Sequence, residues 1–514
     1  MQNKKMEYEA IAPEMFEFAQ KDKAIHDTKF DTKTRGYFAD CMIRFKKNKS
    51  SVVAAYILLF LLLFSFISPI VSPYSVYDKD TTYINSPPFL RQVAELNLGV
   101  LDGAVTHQSQ NEAQMNFWKG IALETGYDPV IKILDTTETT VKYRGKDRTT
   151  YSYKIEANKY YSTGVVYRVF SYEEFERIQQ WQNETGIQVI YPYVDPADIE
   201  GIKDNPNIWY QVKDAKGEPK LDKEGNFIPA YLTNASKEGA PYNSIRIKGD
   251  DGSYVYSVSK SGSVQCRVNY YNFYTYEHNG YEPKFIMGTN SLGQDIFSAI
   301  GIGARFSIIF AIIVSAINLT IGTIYGAIEG YYGGALDMTM ERIAEILGGL
   351  PFVVCTTLFQ LHLAQKVGVV PAFLFAFVLT GWLGMAALTR KQFYRFKNRE
   401  FVLAARTLGA SDWRIMFKHV FPNSLGTIIT NVAIVIPAVI NNETQMTYLG
   451  IINLQDFAGT SIGTLMSQGN AAMTAAPHAM FWPALYLSLL LISFNLFGNG
   501  LRDAFNPSTR GGED

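Results

Sequence analysis

The sequence predicts an all-α membrane domain of six transmembrane helices, with an extracellular α+β domain inserted after the first helix. Long apolar runs alternate with charged segments, and each run approaches the roughly 20 residues that a helix needs to cross a bilayer. Apolar residues make up 47% of the chain and charged residues 18%, fewer charges than the roughly 25% of soluble domains. Residues 75–285 interrupt this pattern with a polar stretch that contains no candidate span.

The chain divides into five segments. They are a cytoplasmic N-terminal segment (1–50), a first transmembrane helix (51–72), the inserted domain (75–285), a five-helix core (286–500) and a cytoplasmic C-terminal tail (501–514). The first segment carries 11 Lys or Arg residues, and positive charge stays inside, so the N-terminus is predicted to be cytoplasmic. Fifty residues precede the first apolar run and no small-x-small site follows it, which favours a spanning helix over a signal peptide.

The inserted domain mixes strand and helix patterns. Residues 140–157 and 160–172 alternate apolar and polar positions, as strands do. Ser171 to Thr185 reads as a helix with Ser171 as N-cap and Glu174 three positions later, and Gly186 is placed to end it. The domain holds 22 of the 32 tyrosines, which suit either strand packing or a docking platform for another protein.

Five further spans are predicted at 304–327, 343–363, 369–388, 425–449 and 478–497. Pro351 is expected to kink the second of these or to start a new turn there. Segment 390–420 carries eight Lys or Arg residues and segment 450–477 carries none. This asymmetry places 390–420 in the cytoplasm together with the C-terminus.

The basic stretch 390–423 has a helical hairpin pattern. Phe401 to Leu408 has helical spacing, Gly409 can adopt the left-handed conformation that ends a helix, and Ser411 is expected to cap a second helix. Adjacent small residues at Ala404 and Ala405 would let another protein's backbone approach. From the residues alone, an ordinary cytoplasmic connector is an equal alternative.

Polar residues inside the spans are candidates for lining a translocation pathway. Glu443, Asn441 and Gln360 are the named candidates, because carboxylates and amides in a membrane are costly and often functional. The alternative for Glu443, which the sequence favours slightly, is a solvated helix end or a bond to a neighbouring span. His362 has no ligand partner at useful spacing, so we predict no metal site, and we predict no catalytic residue. The net charge of −1 offers no argument for nucleic acid.

Several blocks resemble the permeases of ABC importers. Ala404, Ala405, Gly409 and Pro422 match the EAA loop of that family, although Leu403 stands where its Glu would be. The segments that resemble the C-type permease subunit of oligopeptide and dipeptide importers are Gly288–Ser298 (which departs from the family at Asn290 and Gln294), Gly330–Gly334 with Asp337 and Arg342, and Asn495–Pro507 (with Asn499 and Asn506 in place of Asp). Most of 91–280 has no counterpart in the family pattern.

The resemblance implies a type I ABC importer fold, a bacterial cell-membrane location and a set of partners. These would be a homologous second permease, two ATPase subunits that bind ATP and Mg, an extracellular substrate-binding protein, a peptide substrate and the lipid bilayer. It also implies a coupling loop that docks on an ATPase through Glu400, Phe401, Ala404, Ala405, Gly409, Ala410 and Ser411. Two alternatives remain: a permease for nickel or another small solute, and a membrane receptor or mechanotransmission protein that works through its outer domain.

Overall fold

The computed structural model describes residues 37–96, 98–111, 125–143, 146–192, 261–454 and 459–505, with single residues and pairs inside 114–122 and 223–259. Most of the predicted N-terminal segment and C-terminal tail therefore lies outside the described residues.

Five described helices are long and apolar enough to cross a membrane, and a bent pair supplies a sixth candidate. We number them as spans: first, Lys49–Val71; second, Ile296–Tyr332; third, the bent pair Gly334–Gly348 and Phe352–His362; fourth, Val369–Phe396; fifth, Asp412–Tyr448; sixth, Pro477–Phe505. The predicted third span, 343–363, is not one straight helix. Its halves meet at 73°, because Pro351 has no N–H to donate and restricts the residue before it.

Shorter helices connect and flank the spans. They are Tyr37–Lys47, Arg91–Ala94, Lys159–Ser162, Tyr172–Thr185, Tyr270–Glu277, Ala364–Val367, Glu400–Thr407 and Ile462–Ala471.

The second and fourth spans approach each other closely along a row of glycines. Gly322, Gly326 and Gly330 recur every four residues on the second span, and a Cβ at Gly326 would lie 2.1 Å from the carbonyl oxygen of Ala386. Small residues at such a spacing let helix backbones pack in a membrane, where van der Waals contact replaces the hydrophobic effect between helices.

The inserted domain contains eight described strands. They are β1 (Ala104–Asn111), β2 (Val130–Tyr143), β3 (Lys146–Asn158), β4 (Val165–Ser171), β5 (Ile190–Pro192), β6 (Tyr231–Leu232), β7 (Arg246–Ile247) and β8 (Ser263–Asn269). They form sheets in the orders β1-β3-β2, β4-β8-β5 and β6-β7; the first two are antiparallel and β6 pairs with β7 in parallel. The predicted helix after β4 is confirmed: Ser171 Oγ accepts from the Glu174 amide at 3.2 Å, and Gly186 ends the helix with φ 72°.

Aromatic rings fill the core of this domain. Tyr83, Phe89 and Tyr160 are fully buried, with ring centroids 4.9 Å apart for Tyr83 and Tyr160 and 4.6 Å for Phe89 and Tyr160. Tyr74, just after the first span, and Phe285, just before the second, belong to the same core. The tyrosine packing predicted as one alternative is therefore present, and it fixes the domain to the ends of two spans.

Candidate functional site

The motif Gly288–Ser298 joins the inserted domain to the membrane helices. Asp295 begins the second span: its carboxylate accepts the backbone amides of Phe297 and Ser298, each at 3.2 Å, and the Ser72 hydroxyl at 2.9 Å. A carboxylate at this position satisfies amides that the helix leaves unpaired. Burial raises the pKa of Asp295 to about 6.

The two residues of this motif that differ from the family pattern, Asn290 and Gln294, contact each other. Asn290 Nδ2 donates to Gln294 Oε1 at 2.8 Å and contacts Gln468 Oε1 at 3.2 Å, and both Asn290 and Gln294 are buried. Where the family pattern has Asp and Arg, this chain therefore has two neutral amides bonded to each other. The paired replacement leaves no unpaired charge in a buried site.

The basic stretch 390–423 forms the predicted hairpin. Its first helix is Glu400–Thr407, and Gly409 follows in the left-handed conformation with φ 79°. The second arm begins at Asp412, passes through a π-helical stretch at Ile415–Val420 and continues as Phe421–Tyr448. Pro422 lies where the π stretch ends, and its missing N–H gives a physical reason for the altered hydrogen-bond register.

The second arm and the fifth span thus form one helical rod. We call residues 400–423 the coupling hairpin. It consists of the helix Glu400–Thr407, the turn at Gly409 and the first part of the second arm. The capping prediction for Ser411 is corrected: Ser411 occupies the N-cap position, but its side chain makes no capping bond.

The predicted contact residues divide between two faces of the hairpin. Glu400, Phe401, Ala404, Gly409 and Ser411 are exposed and Ala410 is half-buried. Ala405 is buried, in a cluster that includes Val402, Ile415 and Met416. Neighbouring helical positions differ by about 100° in direction, so only Ala404 presents its small side chain outward, contrary to the interpretation that both alanines do.

Sequence reasoning missed the two most exposed apolar side chains of this region. Leu408 is 88% exposed and Trp413 is 61% exposed, with Leu403 at 48%. Positions 401, 404 and 408 share one side of the first helix, because their spacing is three and then four residues. Leu403 points about 100° away from Ala404. An apolar residue next to Gly409, in a turn within a basic stretch, was the available signal.

The hairpin packs on the adjoining ends of the second and fourth spans. Tyr331, on the second span, donates its hydroxyl to Asp412 and contacts Arg406 Nη2 at 3.2 Å. Lys397, after the fourth span, donates to the carbonyl oxygen of Gly330 at 2.9 Å. The hairpin is therefore bonded to the second span, packed in one apolar cluster with Phe393 of the fourth and continuous with the fifth, while Lys397 ties the end of the fourth span to the second.

An ion cluster at the start of the basic stretch was also missed. Arg390 contacts Asp337 with two nitrogens, at 2.6 and 2.9 Å, and Glu341 with two, at 2.6 and 2.9 Å, while Glu329 lies 3.5 Å away. A guanidinium suits such forked contacts. We call these residues the Arg390 clamp; it ties the third span to the fourth beside the hairpin.

The three candidate pathway residues lie in different environments. Glu443 has no exposed surface and accepts the Ser307 hydroxyl at 2.7 Å, so the geometry corresponds to the alternative of a bond to a neighbouring span. Asn441 and Gln360 are half-buried. The structure does not bring these three residues together with the hairpin.

The hairpin and the inserted domain lie at opposite ends of the helices. Asn290 and Thr289 contact Gln468 and His478, which follow the C-terminal end of the fifth span. The hairpin lies at the N-terminal end of that span. A rod of 37 residues extends about 55 Å at 1.5 Å per residue, enough to link the two faces of a membrane.

Two family models match the chain. Residues 319–511 match the binding-protein-dependent transport system inner membrane component, and residues 36–88 match the N-terminal transmembrane domain of oligopeptide transport permease C. Residues 89–318, which include most of the inserted domain, fall between the two matches.

Curated relatives share this similarity. The oligopeptide transport system permease protein OppC of Bacillus subtilis is 38% identical over 223 residues, 43% of this chain and 72% of that protein. The dipeptide transport system permease protein DppC of the same organism is 37% identical over 224 residues, 43% and 68% of the two chains. The OppC of Escherichia coli is 33% identical over 232 residues, 45% and 74%.

Among solved structures, an inward-facing MetNI methionine ABC transporter aligns with 40% of this chain and 94% of that chain, at 15% identity and a TM-score of 0.34. The sequence relatives, together with a mostly helical fold of five or six candidate spans, confirm the resemblance seen in the motifs. The chain is thus a multi-pass membrane protein that belongs to the family of binding-protein-dependent transport system inner membrane components, the permease subunits of ABC importers.

Proposed function

We propose that this chain is one of two membrane subunits of an ATP-driven peptide importer, and that it receives force from an ATPase through residues 400–413. Peptide is the proposed cargo, rather than nickel, because the relatives are named for oligopeptide and dipeptide transport. The proposed partners are a second, homologous permease, two ATPase subunits that carry ATP and Mg, and an extracellular substrate-binding protein.

The observation that carries the proposal is the continuity of the coupling hairpin with the fifth span. A docked ATPase that moves Asp412 moves one end of a 37-residue rod whose other end adjoins the inserted domain. Rigid-body shifts of helices are a common means of switching between states. A connector that only joined two spans would need neither this continuity nor the bonds of Asp412 and Arg406 to Tyr331.

The surface proposed to meet the ATPase is the outward side of the hairpin. Phe401, Ala404, Leu408 and Trp413 present apolar surface around a turn flanked by Glu400 and Ser411. Exposed aromatic and aliphatic side chains of this kind act as anchors in protein interfaces. Ala405 supports the helix from behind, and Ala410 lies at the edge.

We place residues 75–285 outside the cell and both termini inside. The basic hairpin then lies in the cytoplasm, as the charge rule requires, and the inserted domain faces the binding protein. The ribbon of β2 and β3 is exposed from 131 to 140 and from 149 to 151, so it projects as a surface on which that protein can dock.

Alternating access follows from this arrangement. The loaded binding protein docks outside, ATP closes the ATPases, the hairpin moves, and the pathway between the two permeases opens outward to accept the peptide. Hydrolysis resets the pathway inward. Asn441 and Gln360, half-buried on their spans, are proposed to face this pathway, whereas Glu443 is proposed to hold the second and fifth spans together.

The experiment is co-expression with the proposed partner subunits, purification of the complex, and peptide uptake into proteoliposomes that contain ATP. We expect the four membrane-associated subunits to co-purify and to import labelled peptide only when binding protein and ATP are both present. Uptake of nickel in place of peptide, or purification of the chain without any ATPase, would overturn the proposal.

A further inference from the structure

A polar cavity lies halfway along the membrane helices, among the second, fourth and fifth spans. Its volume is about 280 Å³. It is lined by Ser315, Asn318, Leu319, Gly381, Gly384, Met385, Asn431, Val432 and Val435. None of these residues carries a charge.

Two of the lining side chains present polar atoms that have no hydrogen-bond partner in the part of the chain that the structure describes. Ser315 and Asn318 are each 3% exposed, and neither Ser315 Oγ nor Asn318 Oδ1 has a hydrogen-bond partner among the described residues. The Asn318 amide nitrogen reaches the carbonyl oxygen of Phe377 at 3.5 Å. Leaving a buried polar atom unsatisfied costs about 1–3 kcal/mol, so these atoms are poised for a group that enters the cavity.

The fourth span has a local irregularity at Trp382, where it meets the cavity, although the backbone there stays right-handed helical. Its two helices, Val369–Gly381 and Leu383–Phe396, are separated at Trp382. A Cβ at Gly381 would lie 2.3 Å from Asn318 Nδ2, whereas a Cβ at Gly384 would have no atom within 4 Å. The first glycine lets Asn318 reach this irregularity, and the second leaves the cavity open at its edge.

The chemistry of the lining selects the kind of group that fits. A lipid chain would leave Ser315 Oγ and Asn318 Oδ1 unsatisfied, and an ionised group would meet no counter-charge among the described lining residues. The volume exceeds the roughly 30 Å³ share of one water molecule, yet it lies near the lower limit for sites that hold whole ligands. A hydroxyl and two carboxamides instead match an amide, which offers one donor and one acceptor.

We propose that this cavity is a subsite that binds a main-chain amide of the transported peptide during its passage, independently of the peptide's side chains. The proposal rests on the proposed function. Ser315 and Asn318 supply the buried partners, and Asn431, half-buried on the fifth span, completes the site from the rod that the coupling hairpin moves. Because the site is neutral, it holds the peptide without trapping it, as conduction through a pathway requires.

The test uses the complete importer in proteoliposomes and measures peptides imported per ATP hydrolysed. Gly384→Leu fills the open side of the cavity, and we expect this ratio to fall about tenfold while ATP hydrolysis stimulated by loaded binding protein stays within about twofold. Ser315→Ala removes one hydrogen bond, and a fall of about two- to fivefold is expected. The fall should be equal for an alanine-only peptide and a lysine-rich one.

Thr323→Val is the matched control. Thr323 is buried on the same span and its hydroxyl also has no partner among the described residues, but it does not line the cavity. It should leave the ratio unchanged, and Gly348→Leu should do the same, because a Cβ at Gly348 meets only Leu383 Cδ1 at 3.5 Å. A wild-type ratio in Gly384→Leu, or an equal fall in Thr323→Val, overturns the subsite.

Backbone chemistry gives a second readout that a structural role would not move. At equal occupancy of the binding protein, the wild-type importer should carry a peptide with N-methylated amides less efficiently than the unmodified peptide, and Ser315→Ala should reduce that difference. An unchanged difference counts against the subsite. If the wild type imports no peptide at all, the proposed function itself fails, so the two failures are distinguishable.

Discussion

At the scale of single residues, the Asn290–Gln294 pair shows how this chain departs from its family without loss of packing. Asn290→Asp alone places an unpaired carboxylate in a buried site, and we expect the free energy of unfolding to fall by about 2–4 kcal/mol. Adding Gln294→Arg supplies the opposite charge and should restore much of this loss. Thermal unfolding of the purified complex is measured for the wild type, for Asn290→Asp, for Gln294→Arg and for the double variant. Additive effects of the two changes would contradict the pairing.

Asp295 gives a prediction about pH. Because burial raises its pKa to about 6 in the folded protein, from 3.8, the folded state binds the proton more tightly than the unfolded state does. Its contribution to stability is therefore greatest below about pH 3.8 and is lost as the pH rises to about 6.

Asp295→Asn keeps one of the two side-chain oxygens that accept the Phe297 and Ser298 amides, and it cannot ionise. The unfolding temperature of the wild type relative to this variant should therefore decline between about pH 4 and pH 6 and then stay level. A difference that is constant across this range, or that grows with pH, would show that the Asp295 pKa is not raised.

At the scale of elements, the Arg390 clamp stabilises the helix that leads into the hairpin. The clamp holds the bent third span beside the fourth span, on the helix that directly precedes the first helix of the hairpin. Arg390→Lys keeps the charge but loses the forked contacts with Asp337 and Glu341, so we expect a loss of about 1–3 kcal/mol in unfolding free energy.

The same variant should weaken the link between ATP hydrolysis and peptide uptake, because the third span is then less firmly held. Arg395→Lys, at an exposed position on the same helix, is the control and should change neither quantity. Equal unfolding temperatures and equal uptake for the two variants would show that the Arg390 clamp contributes neither to stability nor to the coupling of ATP hydrolysis with uptake.

Elements also mark the boundary of what the sequence could predict. The approximate places of the spans followed from apolar length, and Ser171 and Gly186 followed from local capping rules, but the second and fifth helices extend beyond the predicted 304–327 and 425–449 to Ile296–Tyr332 and Asp412–Tyr448. Ser411 satisfied the same rule by position and still makes no side-chain bond, because tertiary contacts of Asp412 with Tyr331 fix that turn instead. The Arg390 clamp joins residues some 50 positions apart, and a single sequence contains no signal that selects Asp337 over the other carboxylates.

The family motif also could not predict the direction in which each hairpin side chain points. Ala404 and Ala405 look equivalent as letters, yet a turn of about 100° puts one outside and one inside. The family pattern drew attention to small residues, while the exposed Leu408 and Trp413 required the packed structure.

At the scale of the whole molecule, the inserted domain is fixed to the transport machinery rather than tethered to it. Its aromatic core includes Tyr74 and Phe285, and the buried motif at 288–298 bonds onward to Gln468 and His478. We expect deletion of 91–280 to leave an assembled complex that no longer imports peptide, because the proposed docking surface for the binding protein is lost.

Size-exclusion chromatography checks the assembly of the deletion variant, and uptake into proteoliposomes checks its transport. Unchanged uptake would make the domain an accessory to transport. Replacing only 137–151 by a two-residue turn is a milder variant; it should raise the concentration of loaded binding protein needed for half-maximal uptake.

An ATPase is proposed to drive this permease through the outward side of the coupling hairpin. Leu408→Glu and Leu403→Glu test this proposal as a matched pair, because both place a carboxylate at an exposed leucine, Leu403 within the first helix and Leu408 directly after it, and Leu403→Glu restores the Glu of the family motif. The measurement is ATP hydrolysis by the reconstituted complex with and without peptide-loaded binding protein. We expect Leu408→Glu to lose about tenfold or more of the stimulated rate and Leu403→Glu to change it little. Full stimulation in Leu408→Glu, or a large gain in Leu403→Glu, would contradict the account.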